Sequence, residues 1–63
     1  RAALARPPVD VGVYNDLAIA LASSGALDEA ESLLVTALRE QPGFNEARQN
    51  LGAVRARRRA TPR

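Results

Sequence analysis

From Val11 onward, short apolar clusters alternate with polar ones at helical rather than strand spacing. Tyr14, Leu17, Ala18 and Leu21 recur at offsets of three, four and seven, which puts them on one face of a helix turning once per about 3.6 residues. Leu27, Ala30, Leu34, Ala37 and Leu38 repeat that spacing, and Ala47, Leu51 and Val54 do so again. The pattern predicts helices over residues 11–24, 28–41 and 45 to about 57. The first two form an antiparallel hairpin, with Ala18 and Ala30 small enough to let their backbones approach.

The residues between these clusters mark the ends. Asp10 sits where an N-cap belongs, its carboxylate able to accept from the orphan amides of the first turn. Ser23-Ser24-Gly25 close the first helix, and Gly25 suits the left-handed cap residue. Asp28 and Glu29 favour the positive end of the second helix dipole and Arg39 its negative end. Pro42-Gly43 stops that helix, after which Asn45 is a candidate cap and Glu46 a first-turn acid.

Shifted against itself by 34 residues, the sequence aligns Ala3, Leu4 and Pro8 with Ala37, Leu38 and Pro42, and Leu17-Ala18 with Leu51-Gly52. Tyr14, Leu17-Ala18, Leu21, Ala30, Leu34, Ala37 and Pro42 then follow the pattern of an aromatic, Leu-Gly, an aromatic, Ala, Phe, Ala and Pro, and in this the chain resembles the tetratricopeptide repeat family. It departs from the family pattern with Tyr14 for tryptophan, Ala18 for glycine, and Leu21 and Leu34 for aromatics. The resemblance implies an all-α fold, an antiparallel helical hairpin plus a capping helix, as a fragment of an α-solenoid. Residues 1–8 are then the end of a preceding helix, 11–44 one helix-turn-helix repeat, 45–57 the capping helix and 58–63 a basic disordered tail.

In that family the first helices of successive repeats line a concave groove that takes extended peptides or a partner's helix. Carried onto this sequence, the groove comprises Gly12, Asn15, Ile19 and Ser23 of the first helix and Glu46, Gln49 and Ala53 of the third. Asn15, Gln49 and Asn50 are expected to hydrogen-bond a peptide backbone. The cationic pattern by which some family members clamp a terminal carboxylate is not visible there.

At the places of Tyr14 and Leu21 the third helix carries Arg48 and Arg55, which cannot pack on a following helix. That face is expected to meet water, as a terminal repeat requires. Arg58 falls on the line of Ala47, Leu51 and Val54, so packing is expected to fade near Val54, and Arg57, Arg58 and Arg59 read as a fraying end.

Composition narrows the chemistry. The 63 residues hold no cysteine and no histidine, which excludes a Ser-His triad, a Cys-His pair and the usual structural zinc ligands from this chain's own residues. Asp28, Glu29 and Glu31 read as capping and solvation rather than as a catalytic pair. The glycines form no phosphate-cradling loop, no cofactor is implied, and the chain reads as a non-enzyme. A domain this small buries only about 60% of its unfolded surface. The sequence opens on Arg1 rather than methionine and reads as a piece of something longer. Its longest apolar run, Leu17 to Ala22, is too short to cross a bilayer. Compartment is left open.

The net charge of +2 hides a split: residues 1–47 carry three arginines and seven acids, residues 48–63 six arginines and no acid. Such an end can solubilise, dock on the chain's own acids, or bind an acidic protein, an anionic membrane surface or nucleic acid. Nucleic acid is disfavoured, because the only aromatics, Tyr14 and Phe44, are needed for packing. The reading is a protein-interaction or scaffold module, the end of a tetratricopeptide-like array, binding a protein or peptide within a larger complex or homo-oligomer. Its rivals are an arginine-driven binder of nucleic acid or an anionic surface, and the accessory end of an enzyme whose chemistry lies upstream.

Overall fold

Asp10 caps the first helix by accepting, through one carboxylate oxygen, hydrogen bonds from the backbone N–H groups of Gly12 at 3.1 Å and Val13 at 3.3 Å. Those are two of the orphan donors that every helix start must satisfy. The computed structural model describes residues 10–60, which form helices α1 (Val11–Ser23), α2 (Leu27–Glu40) and α3 (Asn45–Ala60). The expected remnant of a helix at residues 1–8 lies outside the described residues. So does the end of the tail, residues 61–63.

α1 turns into α2 through Ser24, Gly25 and Ala26. Gly25 takes φ = 92°, a left-handed conformation in which a Cβ would be strained, and the Ala26 N–H reaches back to the Leu21 carbonyl at 2.8 Å. Asp28 and Glu29 occupy the first turn of α2 and Arg39 its last, each matching the dipole. α2 ends one residue before Gln41. Asn45 is the first residue of α3 rather than its cap.

α2 packs against both other helices, while α1 and α3 touch over a shorter stretch. The core is Ala18, Ala30, Leu34, Ala37, Ala47, Leu51 and Val54, with Leu34 its largest fully buried side chain. Tyr14, Leu21, Leu27, Leu38 and Phe44 are half-buried against it. Alanine predominates because two helices packed on one shared helix need small side chains where the backbones come closest. Leu17 departs from expectation: it belongs to the apolar stripe by spacing but is 48% exposed, because the side of α1 turned toward the other helices is that of Asn15, Ala18 and Ala22.

α1 and α3 run parallel. Two hydrogen bonds join them, from Asn50 to Asn15 and from Arg57 to Ala22, and both span 35 positions of sequence. A constant offset along two helices is possible only if they point the same way.

α3 also runs past Val54 to Ala60, three residues beyond the expected end, so 58–60 are helical rather than tail. The cause is ionic: Arg58 pairs with Asp28 and Glu31 of α2.

Ala30 is fully buried at the point where α2 meets its neighbours. Replacing Ala30 by Leu overpacks that site and should cost about 1 to 3 kcal/mol. Thermal melting followed by circular dichroism reads this, and a variant that melts with the parent contradicts the packing described.

Candidate functional site

The parallel pair α1 and α3 encloses a shallow cleft of about 180 Å³. Its floor is Ala18, Leu34 and Val54, and its walls include Ile19 and Ala22 from α1 and Ala53 from α3. Ser23, Asn50 and Arg57 supply the polar positions. The cleft exists because Ala18, Ala22 and Ala53 have too little side chain to fill the space between the two helices. Ile19 stands at its edge, 46% exposed.

Of the seven residues expected in the groove, the structure brings Ile19, Ser23 and Ala53 together in this cleft. Glu46 and Gln49 are exposed on α3 but do not line it. Gly12 is half-buried beside the Asp10 carboxylate, at the start of α1.

Asn15 has a different place from the one expected. It is 3% exposed, and its side-chain oxygen accepts from Asn50 Nδ2 at 2.8 Å. A buried amide without that partner would carry an unmet desolvation cost of about 1 to 3 kcal/mol. The pair therefore locks α1 against α3 rather than offering Asn15 to a peptide. Sequence spacing puts Asn15 on the groove side but cannot reveal that Asn50 closes over it.

The arginines of α3 form the second cluster of polar side chains. Arg55 Nε pairs with Glu31 Oε2 at 2.9 Å, and Arg58 pairs with Asp28 at 2.9 Å and also with the other oxygen of Glu31. Arg57 donates to the Ala22 carbonyl at 2.9 Å, near the C-terminal end of α1. Arg48 donates to the Pro42 carbonyl at 2.8 Å, within the turn before α3. Arg59 is exposed.

Of the roles open to the basic end, docking on the chain's own acids is seen here, with Asp28 and Glu31 facing Arg55 and Arg58. One expectation is corrected: the Arg48 and Arg55 face is not left to water alone, since both side chains have partners in the fold. The physical cause is the position of Arg58 on the line of Ala47, Leu51 and Val54: it extends the seam facing α2, and there it meets the acids of α2's first turns.

The hydrogen bond from Arg55, with the charge and hydrogen bond of Arg58, holds the Glu31 carboxyl below its ordinary value of 4.5, against an opposing push from partial desolvation. The folded state thus binds this proton less readily than the unfolded chain. Its contribution is complete above the ordinary value of 4.5 and is lost as pH falls through the depressed folded value. Glu31→Gln should therefore flatten the acid limb of stability, measured as denaturation midpoints at several pH values. Superimposable acid limbs for variant and parent would contradict the clasp.

Among the described residues no group of three or more acids could hold a metal ion, and no helix is long and apolar enough to cross a membrane. No family model matches the chain, and no curated protein or solved structure matches it either.

Proposed function

We propose that the chain is a protein-interaction module whose binding site is the cleft between α1 and α3, as the end of a tetratricopeptide-like array. The observation that carries this reading is the cleft itself: a largely apolar trough between parallel helices, floored by Ala18, Leu34 and Val54 and edged by the exposed Ile19. The 34-residue register supports the array, since it makes α1 and α3 corresponding helices of successive repeats. Ligand sites are typically concave and mostly apolar, with a few polar groups fixing orientation. Ser23, Asn50 and Arg57 fill that last role here.

The occupant is a short peptide segment of a partner protein, presenting a small or branched apolar side chain to the space beside Ala53 and backbone acceptors to Asn50 and Arg57. An arginine-driven binder of nucleic acid or an anionic surface is the weaker reading. Arg55, Arg57 and Arg58 are already engaged by Glu31, Ala22 and Asp28, which leaves fewer of them facing outward.

Peptides selected against the chain from a random display library provide the test. Their affinity should fall about tenfold or more with Ala53→Asp, which places a charge on the cleft wall, and should be unaffected by Arg59→Ser. Between about 50 and about 200 mM salt it should change little, whereas binding through several phosphates loses orders of magnitude. Ligands indifferent to Ala53→Asp, or dominated by salt, contradict the reading.

A further inference from the structure

Beyond Val54 no residue of α3 is buried: each one from Arg55 to Ala60 is exposed, yet all are helical. What attaches this end to the fold is a set of polar contacts from three arginines, and they run to two different helices. A helix turns about 100° per residue, so Arg58 continues the row of Ala47, Leu51 and Val54, and Arg55 stands about 60° to one side of it. Arg57 stands about 100° to the other side, in the row of Asn50 and Ala53. That is the row of α3 that lines the cleft.

The two sides are held unequally. Toward α2, Arg55 and Arg58 share the Glu31 carboxylate, and Arg58 also reaches Asp28. Hydrogen bonds between ionised groups are the stronger kind, and two arginines on one carboxylate fix the helix as well as the side chains. Toward α1, Arg57 makes one hydrogen bond, to the Ala22 carbonyl, which also accepts the Gly25 N–H. It brings a positive charge to the C-terminal end of α1, whose own last turn has no basic residue. One bond from a long exposed side chain to a neutral carbonyl does not keep a helix end in place, because ordering that side chain costs rotamer entropy.

We propose that Glu31 is a positioning residue for the α1–α3 cleft. From α2, and without lining the cleft, it holds the end of α3 so that Arg57 stays beside the cleft with its other N–H donors available to a bound peptide. This rests on the cleft being the binding site, and adds that its polar end is set from a helix face the peptide does not touch.

The test takes peptides selected on the parent chain and measures what Arg57→Ser costs in affinity in four backgrounds: parent, Glu31→Lys, Glu31→Asp and Glu29→Lys. Glu29→Lys makes the same change of charge at an exposed acid that has no ion pair among the described residues. Arg57→Ser should cost about fivefold or more in the parent, Glu31→Asp and Glu29→Lys chains, and less than about twofold in Glu31→Lys, where Arg57 is already displaced. Without peptide, the backbone amides from Arg57 to Ala60 should exchange about tenfold faster in Glu31→Lys than in the parent, with those from Ala47 to Val54 unchanged. Where Glu31→Lys unfolds the whole chain, Glu31→Gln carries both comparisons. An equal cost of Arg57→Ser in the Glu31→Lys and parent chains overturns the proposal, and so does unchanged exchange from Arg57 to Ala60. Peptides that depend on Ala53 but are indifferent to Arg57→Ser overturn it too and leave the cleft reading standing. Peptides indifferent to Ala53→Asp overturn the cleft reading itself, a failure that the exchange measurement does not share.

Discussion

Everything in this fold depends on α2 being buried from two sides at once. Ala30, Leu34 and Ala37 are its fully buried residues, and both α1 and α3 pack against α2. Four of the seven core residues are alanines, so the interior is thin and its apolar area small. Close approach of the helices substitutes for bulk. Dispersion contacts between well-packed atoms are individually weak, and they accumulate only if the helices stay close. A side chain too large at Ala18, Ala30 or Ala47 separates the helices and forfeits those contacts along the whole seam.

The ionic contacts extend what the apolar seam begins. Past Val54 the α3 line facing α2 is continued by Arg58, which meets Asp28 and Glu31. Exposed pairs of this kind are individually worth about 0 to 1 kcal/mol, but they share the Glu31 carboxylate and so hold one geometry together. Their structural consequence is that α3 remains helical to Ala60, which carries Arg57 alongside the end of α1 and closes one end of the cleft.

Helix number, the Asp10 cap, the Gly25 turn and the α2 and α3 core rows were all legible in the sequence, because spacing and cap chemistry are local. The face of α1 that α2 covers was not fully legible. Asn15 and Leu17 flank Ala18 from opposite sides of the helix wheel, yet the polar one is buried and the apolar one exposed. Asn50 decides this by supplying the donor that lets Asn15 be buried, and a partner 35 positions away leaves no trace in local periodicity. The arginine contacts were hidden for the same reason. Charge composition separates the basic end from the acidic body, whereas only the chain reversal at Pro42-Gly43 brings them face to face. For the cleft, spacing and the family resemblance set Ile19, Ser23 and Ala53 on one side, and all three line it, whereas neither gave a sign that Arg57 lines it too.

The central claim is that α2 is the shared core of a single three-helix unit. Native-state hydrogen exchange of the backbone amides tests it most directly, because the amides that exchange only through global opening mark the cooperative unit. The slowest amides should lie in α2 from Ala30 to Ala37, with those near Ala18 in α1 and near Leu51 in α3 opening with the same free energy. If α3 instead exchanges at the rate of an unfolded peptide while α1 and α2 stay protected, α3 is not part of the core, and both the cleft and the arginine clasp lose their basis.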